Sequence, residues 1–185
     1  MQIHQIALHY QAEDDRLLLR VNTADAQAMS VWLTRRLCLR LWPHLCSMVE
    51  QAGVRHALSQ TGAGRPSADA ALMPQAKSML AEGARRQVLS QTDFSKAFEA
   101  HAAAQPLGAE PLLATAVHLT PDASGSLTLM IRDAKSRNLQ MVLTAQMALA
   151  VLELMRTALS KADWGFTFET ATRTDEGADK PRVLN

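Results

Sequence analysis

Two stretches decide the fold: residues 16–42, RLLLRVNTADAQAMSVWLTRRLCLRLW, and residues 126–152, SLTLMIRDAKSRNLQMVLTAQMALAVL. Laid side by side without a gap, they share Leu17/Leu127, Leu19/Leu129, Ala24/Ala134, Leu33/Leu143, Thr34/Thr144 and Leu39/Leu149. Where the residues differ, the hydrophobic pattern still agrees. Leu17, Leu19 and Val21 alternate with Leu18 and Arg20, as Leu127, Leu129 and Ile131 alternate with Thr128 and Met130. Side chains that change face at every residue mark a half-buried strand. Met29, Val31 and Leu33 repeat the alternation, mirrored by Leu139, Met141 and Leu143, after polar turns at Asn22–Gln27 and Arg132–Asn138. Upstream, Ile6–Tyr10 (IALHY) matches Thr115–Leu119 (TAVHL), which aligns His9 with His118 and leaves the second turn one residue longer. Each copy therefore reads as a three-stranded antiparallel meander.

The period then lengthens toward 3.6. Leu37, Leu41, Leu45 and Met48 share one helix face, as do Met147, Val151, Met155 and Leu159. Thr34 and Thr144 stand where an N-cap belongs, because a threonine hydroxyl can accept from a free first-turn amide. Gly53 is the expected stop of the first helix, and Pro43 should kink it or end it early. The fold expected is α+β: two pseudo-symmetric β-β-β-α repeats over 1–53 and 112–168, joined by a linker and helical insertion over 54–111. Gly-, Ser- and Pro-rich sequence from His56 to Ser67 reads as a mobile linker, and Ala68–Ala103 leans helical. Trp164, Phe166 and Phe168 alternate like a short terminal strand, and 169–185 reads as a flexible polar tail.

The order of elements resembles the Whirly and PUR families of single-stranded nucleic-acid-binding proteins, which also duplicate a meander-plus-helix unit. The resemblance implies nucleic-acid binding. The units of those families have four strands, however, and no motif residue of theirs is found here.

Charge points away from nucleic acid. Nineteen Lys and Arg against eighteen Asp and Glu leave a net charge of +1 over 185 residues, too little to attract a polyanion over distance. No basic-then-apolar leader opens the chain and no run approaches the roughly 18 apolar residues that cross a bilayer, so a cytoplasmic protein without membrane contact is expected. Cys38 and Cys46 lie about 12 Å apart along one helix, too far to bridge there. Gly62-Ala63-Gly64 follows no strand and no Gly-Lys-Ser closes it, which makes it linker rather than a phosphate loop. Asp14 and Asp15 share one turn and hence one environment, unlike a working acid/base pair. His9 and His118 recur together, but no carboxylate recurs with them. No catalytic residue, metal site or cofactor is therefore expected, and an enzyme is the less favoured class.

Two features remain as a candidate binding surface. Arg35, Arg36 and Arg40 open the first helix against its dipole, where the second copy has Ala145, Gln146 and Ala150. Leu18 and Trp32 in one half, Met130 and Val142 in the other, give each sheet a second apolar face that the inserted helix or another subunit must cover. The expected function is a non-enzymatic protein-interaction or assembly module, most simply a homodimer with a possible further protein partner. Single-stranded nucleic-acid binding is the alternative.

Overall fold

The structure, a computed structural model, describes residues 2–60, 79, 82–83, 85–86, 90, 98, 104–166 and 182–184, with backbone alone at 57–60 and 182–184. It is α+β, with strands followed by a helix in each half. In the first half β1 (Ile3–Gln11), β2 (Arg16–Thr23) and β3 (Ala28–Thr34) lead into α1 (Arg35–Gln60). In the second, β4 (Leu112–Leu113) precedes β5 (Ala116–Pro121), β6 (Leu127–Arg132) and β7 (Asn138–Leu143). Then come α2 (Ala145–Ala162) and β8 (Arg182–Leu184). The strands form two four-stranded sheets, β1-β2-β3-β4 and β7-β6-β5-β8.

The alternation read from sequence sets the register. Leu17 faces Leu33, Leu19 faces Val31 and Val21 faces Met29. Leu127 faces Leu143, Leu129 faces Met141 and Ile131 faces Leu139. All twelve are buried. The turns match in detail as well. Gln27 N–H donates to the Thr23 hydroxyl oxygen and Arg137 N–H to the Asp133 carboxylate, while Thr23 and Asp133 N–H donate back to the Gln27 and Arg137 carbonyls. Left-handed φ angles fall at Asp15 and Gly125 in one pair of turns and at Ala26 and Ser136 in the other. Each of these four pairs is separated by the 110 positions that separate Thr34 from Thr144.

Both threonines cap their helices: Thr34 Oγ1 accepts from Leu37 N–H at 3.3 Å and Thr144 Oγ1 from Met147 N–H at 3.2 Å. The packing is exchanged between halves. Besides resting on each other, α2 lies on β1, and α1 lies on β5 and β6. One apolar core results, holding Leu17, Val31, Leu37 and Leu41 together with Leu127, Met141, Val151 and Met155. Such burial is what stabilises an amphipathic helix in water, since its propensity alone is marginal.

Several local readings change. Gly53 does not stop α1, which runs on to Gln60. Its counterpart Asp163 does end α2, at φ 48° and ψ 41°. Pro43 lies inside α1 without ending it. The carbonyl it leaves without an amide donor, four residues back, belongs to exposed Leu39, where water can take the amide's place. Trp164 and Phe166 are not in a strand, because Asp163 and Gly165 both adopt positive φ and turn the chain away from an extended path; Phe168 lies outside the described residues. Instead Arg182–Leu184, within the polar tail, pairs antiparallel with β5. The Gly62–Gly64 segment and the rest of the linker from residue 61 lie outside the described residues.

Candidate functional site

The seven candidate residues fall in three places. Leu18 and Trp32 are direct cross-strand partners on the outer face of the first sheet, where Leu113 of β4 joins Trp32 in register. Leu18 and Trp32 are half-buried, and Leu113 is 39% exposed. On the outer face of the second sheet, Met130 faces Gln140 and Thr128 faces Val142, so Met130 and Val142 are diagonal neighbours. Met130 is half-buried and Val142 is 57% exposed. Part of the first face is shielded by the insertion: the Phe98 ring lies 4.7 Å from the Arg20 guanidinium, a cation–π contact next to Leu18. Arg20 Nε is buried there with no hydrogen-bond partner among the described residues.

The three arginines are exposed at the start of α1, but Arg35 is tied down. Its guanidinium donates to the Trp164 carbonyl at 3.2 Å, just past the end of α2, where carbonyls without helical partners favour a cation. That contact offsets the adverse position at the start of α1. Sequence reasoning placed Arg35 on a free surface because its acceptor lies 129 residues away.

The same corner holds a junction that no spacing in the sequence signals. Asp15, in the β1–β2 turn, accepts from the Trp164 indole N–H at 2.6 Å and from the Tyr10 hydroxyl at 3.0 Å. Tyr10 and Trp164 meet edge to face with centroids 5.7 Å apart. The two donated hydrogen bonds, Trp164's first, hold the Asp15 carboxyl below the usual aspartate range, with Arg35 adding to the effect. The hydrogen bond that Tyr10 donates to Asp15, with the carboxylate's charge adding to the effect, pushes the Tyr10 hydroxyl up. A second anchor lies on α2, where Glu153 takes a two-pronged hydrogen bond from Arg85 of the insertion at 2.9 and 3.2 Å. Arg156 stands 3.7 Å from the same carboxylate and over the Trp42 ring. These contacts join elements that are distant in sequence.

His9 and His118 both stand on outer faces, opposite Leu18 and Met130. Partial burial, then Arg20 and Lys161, lower the basicity of His9. Burial pushes the thiols of Cys38 and Cys46 up to about 12 and about 11, the reverse of what an activated thiolate needs. Among the described residues no three His, Cys, Asp or Glu are grouped as metal ligands. A cavity of about 30 Å³ lies in the shared core, lined by Leu8, Leu19, Leu33, Val117, Leu129 and other apolar side chains. It offers no polar partner to water or ligand. No helix of the described residues is long and apolar enough to cross a membrane. Compared with known proteins, the chain matches no protein-family model, no curated protein and no solved structure.

Proposed function

We propose that this chain is a non-enzymatic assembly module of the cytoplasm, built by duplication of one β-β-β-α unit and associating with itself as a homodimer. The observation that carries the self-association is the set of apolar side chains on the outer faces of the two sheets, with Val142 57% and Leu113 39% exposed beside half-buried Trp32, Leu18 and Met130. Aliphatic side chains held in water on a regular sheet favour a partner that removes them from it. Support for duplication comes from the shared 110-residue offset of turns, caps and left-handed positions, and from helices that each rest on the other half's sheet. Two unbridged cysteines suit a reducing compartment.

Sedimentation of Trp32→Glu against the native chain tests the reading. Where the outer face of the first sheet forms the interface, the variant shifts toward monomer with its helical signal retained, because Val31 and Leu33 keep the inner face. Equal association of variant and native protein would remove the outer face of the first sheet from the interface. The exposed Arg36 and Arg40 favour the second reading, single-stranded nucleic-acid binding. Salt-dependent retention on single-stranded DNA, lost when Arg35, Arg36 and Arg40 become Ala, Gln and Ala, is the result that would establish it.

A further inference from the structure

We infer that β7 is the strand through which two copies join, edge to edge and antiparallel about a twofold axis; the inference rests on the self-association proposed above and assigns its geometry. The four ends of the two sheets are β1, β4, β7 and β8, and sheet edges are normally blunted against pairing by shortness, charge, proline, bulges or a covering element. Three of them are blunted here. β4 has two residues, β8 has three and begins with Arg182, and β1 carries a register break between Ile3 and Gln5 and lies under α2. β7 is different. Its six residues, Asn138–Leu143, pair with β6 without a break and include no charge, proline or glycine. No described strand lies on its other side.

The occupant follows from charge and symmetry. In a twofold antiparallel pair the residue on the axis faces its own copy and its same-face neighbours lie close by, so a charge near the middle of β7 would meet like charge. An uncharged strand is complementary to its own copy. A twofold perpendicular to the sheet also keeps Leu139, Met141 and Leu143 of both copies on the inner face, and Asn138, Gln140 and Val142 on the outer face. In the other half the matching edge takes a strand, though a parallel one: β4 pairs with Val31 and Trp32, which stand 110 positions before Met141 and Val142. The joined molecule is a continuous eight-stranded sheet across two copies, with main-chain hydrogen bonds at the seam.

Hydrogen exchange of the native chain and sedimentation of Asn138→Lys/Gln140→Lys test this. Both side chains are exposed, and two lysines on so short a strand bring four positive charges to the seam between the copies. The β7 amides should gain protection as concentration rises from 1 to 100 μM, roughly tenfold or more for those that bond the partner, and the double variant should dissociate at least tenfold more readily with unchanged circular dichroism. A dimer weakened by Trp32→Glu but not by the double variant, without added protection in β7, would overturn the edge pairing and leave face-to-face association standing. Weakening by the double variant alone would do the reverse. A chain that stays monomeric at 100 μM, or whose β7 is protected only by a foreign peptide, overturns the inference.

Discussion

At Gly125 an added Cβ would sit 2.8 Å from the Ala52 carbonyl oxygen on a backbone with φ of +85°, whereas at Gly53 it would meet nothing within 4 Å. The β5–β6 turn is pressed onto α1, so Gly125→Ala combines a left-handed penalty with a backbone collision and should destabilise by about 2 kcal/mol or more. Gly53→Ala should stabilise by about 0.5–1 kcal/mol, because it removes unfolded-state freedom from a helix interior. Urea unfolding of both variants checks the pair; a destabilising Gly53→Ala would mean the helix ends there after all. Asp15 supplies a pH signature. Its carboxyl is held below the ordinary range in the folded chain, so its contribution is present above about pH 4 and is lost as pH falls through the folded value. Melting curves between pH 2 and 5 should therefore show a shallower acid loss for Asp15→Asn than for the native chain, and equal slopes would show that the junction with Trp164 carries no stability.

The meanders were legible because period-two burial is written in every residue: Leu17, Leu19 and Val21 could not shift by one place without turning the core face to water. Caps were legible for the same local reason, a hydroxyl at the point where the period changes. β4 and β8 were not. Two- and three-residue strands hold through backbone pairing to β3 and β5, and backbone bonds leave no side-chain pattern. Nor did sequence show that the helices are exchanged, since an apolar stripe such as Leu37-Leu41-Leu45 states that a helix is buried and not against which sheet. The candidate surface was half legible. Outer-face positions came from parity, but their cover came from distant contacts, Phe98 over Arg20 and Trp164 against Arg35. The anchor of the insertion on α2 can be measured: Arg85→Ala leaves buried Glu153 with the more distant Arg156 among the described residues, and should cost about 1–3 kcal/mol. A loss confined to a few tenths would mean that the insertion does not anchor on α2.

At the scale of the whole molecule, two sheets and two helices close one core and leave apolar residues on outer faces and, at β7, an edge that no described strand covers. The cavity of about 30 Å³ in the core is lined by apolar side chains alone and offers a polar ligand no partner. The proposed self-association places the contact on this surface, where a neutral strand can pair with its own copy. Light scattering on the native protein across 1–100 μM measures that directly. With self-association the mass rises with concentration from the 20.2 kDa of one chain toward twice that value. A mass fixed at one chain throughout the range would contradict it.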